Sequence, residues 1–259
     1  MAKVIDIDKA LCRIAPMELS EQWDNDGIML CKDKNAETRK VLVMLDVSEK
    51  GVDYAIENDF DMIITHHPFI FKPLTRIVEG NYRVVEKLVK NNICVLSYHT
   101  RMDSADGGVN TALAELLCLE NVTGFGAESG GLGKLGELKK DMTPEEFAQY
   151  LKQKLGCGNI RASFFKQENR KIKKVAVIGG AGKSFYKDAF FAGADAYVTS
   201  EAAHNTFIEC RELDMCLYDC GHYYTENPVC LKFKKILEES FKDDLVAEIY
   251  NVESPYVNL

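Results

Sequence analysis

Short, almost unbroken apolar runs recur along this chain, each followed by a stretch with helical periodicity. They are Lys40–Asp46 (KVLVMLD), Asp61–Thr65 (DMIIT) and Ile93–Tyr98 in the first half, then Lys174–Gly179 (KVAVIG), Asp195–Thr199 (DAYVT) and Met215–Tyr218 in the second. A run that is apolar at successive positions has no polar face, so as a strand it must be covered on both sides. Helices supply the cover. One is capped by Ser48 and runs to about Asn58. Others are expected over Tyr82–Lys90, Asp106–Glu120, Lys183–Ala192, from about His204, and from about Pro228 to Phe241, with a last strand at Leu245–Tyr250. This order predicts an α/β fold of two similar α/β lobes with mixed, largely parallel sheets.

The similarity of the halves goes beyond strand pattern. A shift of 134 positions lays Lys40-Val41 on Lys174-Val175, Val43 on Val177, Ala55 on Ala189, Asp61 on Asp195 and Thr65 on Thr199. Non-apolar positions coincide as well, which points to an internal duplication. Lobes of roughly 1–123 and 137–259 are expected, joined by segment 124–136, which holds six of the 18 glycines. Two such sheets facing a cleft would offer a usual place for a binding site.

Composition narrows the function classes. The 259 residues carry a formal charge of -8, and a nucleic-acid partner would call for a basic face, so this balance argues against one. No apolar run approaches the roughly 18 residues needed to span a bilayer. The opening Met-Ala-Lys-Val-Ile-Asp lacks a signal-peptide apolar region. A cytoplasmic protein without a membrane partner is the expectation. The nine cysteines include no Cys-x-x-Cys pair and are read as reduced thiols, mostly in the core.

Of the five histidines, four follow expected strands: His66, His67, His99 and His222. In open α/β sheets ligands bind beyond the carboxyl ends of strands. Adjacent His66 and His67 cannot both reach one point within a straight strand, but at a strand end, with Pro68 holding His67 extended, two diverging imidazoles suit two metals. A surface pair is the plainer alternative. Asp103 is a hard oxygen donor just past a strand, or a helix N-cap. His222 and Glu226 share a side if a helical turn begins there, and a glutamate can bridge two cations. His99 can be a ligand, a general base or a partner that holds a carboxylate. His204 faces the same cleft or lies on a helix surface. Cys220 reads as a small buried thiol rather than a soft ligand. Gly179-Gly180-Ala181-Gly182-Lys183-Ser184 invites a P-loop reading, which fails because Val177 stands where the first glycine belongs. A glycine-rich anion cradle remains as the alternative.

Taken together, several segments resemble the Nif-three-like family, also called the GTP cyclohydrolase 1 type 2 homolog family. They are Trp23-Asp24-Asn25-Asp26-Gly27, the stretch from Asp61 to Phe71, the stretch from His99 to Asn110, Gly131 to Gly136, the Gly179–Gly182 turn, and Asp219 to Glu226. The resemblance covers nearly the whole chain in family order. It implies a two-lobed α/β fold without an inserted middle domain, and a dinuclear metal centre in the cleft. Its ligands map onto His66, His67, Asp103, His222 and Glu226, with Glu226 as the bridge and His99 close by. It further implies assembly as a toroidal homohexamer. There are departures. Where the family often has Thr-Gly-Asp and a histidine pair, this chain has Thr199-Ser200-Glu201 and His204-Asn205, and Cys220 stands at an often small, apolar position.

The expected function is that of a metal-dependent hydrolase acting on a small nucleotide-like, phosphoester or cyclic-amide substrate. His99 or His204 would pass protons, since imidazole titrates near neutral pH. Nitrogen and oxygen donors admit zinc, iron, manganese, cobalt or nickel. The alternative is a non-enzymatic metal carrier, metal-linked chaperone or regulatory scaffold.

Overall fold

In a computed structural model, residues 2–126, 131–164, 170–252 and 254–256 are described. The chain divides into two units. The first comprises residues 1–108 and 229–253, the second residues 109–228 and 254–259. The change of unit at Gly108–Val109 falls ahead of the glycine-rich segment 124–136, whose described residues are strand and turn within the second unit. Residues 127–130 of that segment lie outside the described residues.

The strands in chain order are β1 (Ala2–Lys3), β2 (Gly27–Leu30), β3 (Glu37–Thr38), β4 (Lys40–Met44), β5 (Met62–Thr65), β6 (Cys94–Ser97), β7 (Glu120–Phe125), β8 (Gly133–Met142), β9 (Arg161–Ser163), β10 (Ile172–Val177), β11 (Ala196–Thr199), β12 (Cys216–Asp219) and β13 (Val246–Ile249). In the first unit the sheet order is β13-β4-β5-β6-β2, parallel except for β2. Every residue of β5 and β6 is buried, because helices lie on both faces. Glu49–Glu57 and Glu79–Lys90 cover Leu42, Met44, Ile63 and Val95 with Val52, Ala55 and Leu88. Val4–Ile14 packs on Val229–Phe241, which itself lies on β4 and β13. The Ser48 hydroxyl accepts from Gly51 N and caps its helix as expected.

In the second unit the order is β7-β8-β10-β11-β12-β9, with β10, β11 and β12 parallel and the flanking strands antiparallel. Alternate residues of these parallel strands enter two cores. Val175, Val177, Val198 and Tyr218 meet Phe147 and Leu151 of helix Pro144–Leu155, while Ala176, Tyr197 and Leu217 meet Tyr186, Ala189 and Cys210.

The repeat seen in the sequence has a structural counterpart. In one unit Val41 pairs with Met62, and in the other Val175 pairs with Ala196, each residue shifted by 134. Asp61 Oδ2 accepts from the amides of Arg39 and Lys40, and Asp195 Oδ2 accepts from those of Lys173 and Lys174. The same carboxylate staple thus starts both sheets.

Two expected helices are displaced. Asp106–Glu120 shortens to Val109–Leu116, and Asp103 lies within a separate short helix, Thr100–Ser104, rather than at an N-cap. The cause is a tight turn at Gly108, where a Cβ would lie 1.8 Å from Met102 O. Lys183–Ala192 divides into a 3-10 turn, Gly182–Phe185, and a helix, Tyr186–Phe191. Among the described residues, no helix is long and apolar enough to cross a membrane.

Candidate metal centre

In the first unit the ends of β5 and β6 carry the donors. Thr65 and Ser97 pair in register, and their hydroxyls meet at 2.8 Å, locking the strand ends. Just beyond them stand His66, His67 and His99, each able to offer a ligand atom within 4.8 Å of the others. The rings lie 5.0 to 5.6 Å apart. Asp103 Oδ1 approaches His66 Nε2 at 3.5 Å.

What fixes these imidazoles is their other nitrogen. His66 Nδ1 donates to the Tyr98 carbonyl at 2.9 Å, His67 Nδ1 to Asp46 Oδ1 at 2.7 Å, and His99 Nδ1 to Asp24 Oδ1 at 2.9 Å. Carbonyl and carboxylate oxygens only accept, so Nδ1 carries the proton in each ring. In the neutral tautomer Nε2 then presents its lone pair. This is how proteins orient metal-ligating histidines.

His99 is held from several sides. Asp24 also accepts from the Thr100 amide and hydroxyl. Burial acts to raise the Asp24 carboxyl, but these hydrogen bonds outweigh it and hold the carboxyl far below the usual carboxylate range. Asp26 accepts from the His99 amide and approaches Arg101 Nε at 3.5 Å. Arg101 is fully buried, its guanidinium 4.0 Å from the Tyr98 ring centroid. The segment Trp23–Gly27 therefore clamps the one that carries His99 and Asp103.

In the second unit the turn after β12 presents His222 and Glu226 on one short helix, His222–Glu226, that starts from Gly221 at φ +83. The i,i+4 spacing brings His222 Nε2 to 2.7 Å from Glu226 Oε2. His222 Nδ1 donates to Glu201 Oε1 at 2.7 Å, so a fourth imidazole has Nδ1 bound to an oxygen. Glu201 holds φ +54, a left-handed conformation that costs a non-glycine residue of order 1–3 kcal/mol. The longer acid at this departure from the family pattern still reaches its histidine.

The glycine loop acquires a role here. Gly180 has φ +62, and a Cβ on it would lie 1.9 Å from Glu226 Oε1 and 3.3 Å from His222 Nε2. Its carbonyl accepts from the amides of Gly182 and Ser200, and its amide donates to Thr225 Oγ1. Buried Asn110 secures the preceding residue by accepting from Gly179 N. The loop is a seat for the Glu226 carboxylate. A cavity of ≈ 280 Å³ opens beside His222, lined by Asn159, Arg161, Glu201, Tyr224 and Tyr256 among others.

Each donor set fits a cation on its own chemistry. A lone pair and a carboxylate 2.7 Å apart, as at His222 and Glu226, are stable together only with a proton or a cation between them. The buried histidine, aspartate and glutamate clusters could therefore hold metal ions. Cys220 does not join them, because burial first and its hydrogen bond with Cys157 second push its thiol well up. All nine cysteines are free, and six are buried. His204 is exposed and opens helix His204–Glu212, and it stands in neither donor set. The residue types and strand ends pointed to His66, His67, Asp103, His222 and Glu226, and these stand in the clusters described. The roles of Asp24, Asp46 and Glu201 behind the imidazoles were not legible. Asp24 stood in the Trp23–Gly27 segment and Glu201 at a departure from the family pattern, but neither signal says which histidine each would hold.

Comparison with known proteins places these features in a family. The model of the Duf34/NIF3 (NGG1p interacting factor 3) family matches residues 2–255. A Clostridium perfringens protein named GTP cyclohydrolase 1 type 2 homolog is 32% identical over 250 residues, covering 94% of each chain. NIF3-like protein 1 of Drosophila melanogaster is 28% identical, over 97% of this chain and 87% of its own. The crystal structure of a Staphylococcus aureus hypothetical protein superposes with a TM-score of 0.90 at 27% identity, covering 99% of both chains.

Proposed function

The chain belongs to the Duf34/NIF3 family, and on that premise we propose that it holds two divalent transition-metal ions on His66, His67, Asp103, His222 and Glu226. We read it as a metal-dependent hydrolase of a nucleotide-like, phosphoester or cyclic-amide substrate. One observation carries the reading. Each of the three histidine ligands, His66, His67 and His222, has Nδ1 committed to an oxygen acceptor, which readies Nε2 for a cation.

When bound, a pair of cations lowers the pKa of water and stabilises both oxygens of a displacement. Around them the residues divide the work. Glu226, seated on Gly180, would be the residue shared by both ions, as the family resemblance implies. To His99, whose ring lies 5.3 Å from that of His66, we assign the proton transfer, at Nε2. His204, the second candidate for proton transfer, is exposed at the start of helix His204–Glu212. The nitrogen and oxygen set suits zinc, iron, manganese, cobalt or nickel. The name carried by the Clostridium relative puts guanine nucleotides first among substrates to screen. Assembly as a toroidal homohexamer is part of the proposal and rests on the family resemblance.

Elemental analysis of untagged protein tests the centre. About two equivalents of metal per chain are expected, and Glu226→Ala should lose both ions together. Full metal content in that variant would sink the ligand set. Bound metal with no turnover on phosphoesters, cyclic amides or nucleotides would instead favour a carrier or scaffold, in keeping with the family's description as an interacting factor.

A further inference from the structure

Trp23 is the single tryptophan of the chain, and it stands 62% exposed, beside Phe71 at 45%. Large apolar rings scattered singly over a surface are ordinary. These two touch each other and the same imidazole. Trp23 and Phe71 have centroids 6.1 Å apart at 72°, Trp23 and His99 6.3 Å at 77°, and Phe71 and His99 6.2 Å at 87°. Edge-to-face contacts of this kind leave ring surface available, and the exposures put that surface in water.

The platform is rigid. Asp24, next to Trp23, is bound to His99 and Thr100. Asn25 Nδ2 donates to the Ile70 carbonyl at 2.5 Å, tying the tryptophan segment to the residue before Phe71. The Phe69 amide donates to Ser97 Oγ at 3.3 Å. Both rings are thus held from the sheet end that carries the histidines.

We infer that Trp23 and Phe71 form an aromatic corner for the planar heterocyclic ring of the substrate, one ring stacking on its face and the other meeting its edge, and so set the group to be cleaved beside His66, His67 and His99. Aromatic stacking accepts any flat ring, because every such ring has a π-face. The chain's charge of -8 disfavours a polynucleotide. The placement of the cleaved group rests on the hydrolase reading, whereas the stacking does not.

The test uses the full-length, metal-analysed protein and the emission of Trp23. Nucleoside 5′-monophosphates of the four common bases are titrated, with ribose 5-phosphate as the control that lacks a ring. Saturable quenching by the nucleotides is expected, with ribose 5-phosphate binding about tenfold more weakly or worse. By calorimetry, Trp23→Phe should bind within a few-fold of the native protein, while Trp23→Ala and Phe71→Ala should lose about tenfold with metal content unchanged. Native affinity in Trp23→Ala, or no change in emission with metal in place, would overturn the platform. So would a Trp23 that acrylamide cannot quench in the free protein and whose replacement by alanine splits an oligomer, since a second copy would then cover the ring. A native protein that binds no metal but is quenched by nucleotides would sink the hydrolase and leave the platform standing.

Discussion

A methyl group on Gly180 would have to occupy space 1.9 Å from Glu226 Oε1, on a backbone already at φ +62. Neither demand can be met without moving the carboxylate. Gly180→Ala is therefore expected to cost about 1–3 kcal/mol of stability and to reduce metal content, measured by denaturant unfolding and elemental analysis on the same preparation. A stable variant with native metal content would show that the loop does not seat Glu226. Asp46 gives the converse case. Its side chain is half exposed and bonds His67 Nδ1 at 2.7 Å, so its removal should leave the fold nearly intact. Asp46→Asn should weaken metal binding about 10–100-fold, read by competition with a chelator. Unchanged affinity would make Asp46 a surface acid that happens to lie near a histidine. The candidate donors were legible in the sequence, since His66, His67 and His222 follow apolar runs. The anchors were not, because Asp24 lies 75 residues from His99 in sequence and no local pattern records the contact.

Among the elements, the paired staples at Asp61 and Asp195 offer a direct measure of the duplication. Each carboxylate accepts two backbone amides at a strand start. Removing either leaves two amides to find new partners, at about 1–3 kcal/mol. Asp61→Ala and Asp195→Ala are expected to show costs of similar size in urea unfolding, and the double variant should show their sum, as for separate sites. Strong non-additivity would mean the two staples are not independent. The central strands were readable because apolar runs covered on both faces have few alternatives. Elements outside the central parallel strands were harder. Helix Pro144–Leu155 carries a full capping box at Thr143 and Glu146, a signal present in Thr-Pro-Glu-Glu. Strands β7 and β8 lie in a stretch rich in glycine and charge, where propensity argues for loop.

For the whole molecule, anything that binds the native state alone adds stability by mass action, about 2.7 kcal/mol at a hundredfold excess over Kd. Exhaustive chelation of the purified protein should lower Tm by several degrees, and returning a single metal should restore it. A Tm indifferent to chelation would mean that the native protein carries no tightly bound ion at these residues. Metal of one kind that restores Tm better than the others would identify the resident ion more directly than donor chemistry can.

The order of strands and helices, the α/β class, the repeat at 134 residues and the histidine-bearing turns were fixed by local pattern, since periodicity, glycine placement and residue type act over a few residues of chain. Tertiary structure alone decided the rest. It took the last strand, β13, and its helix back into the first unit, set an acceptor behind each of four imidazoles, and gave Gly180 a carboxylate to seat. These depend on which segments distant in sequence come to share a sheet end, and that choice is made by packing summed over whole units rather than by any residue's own preference.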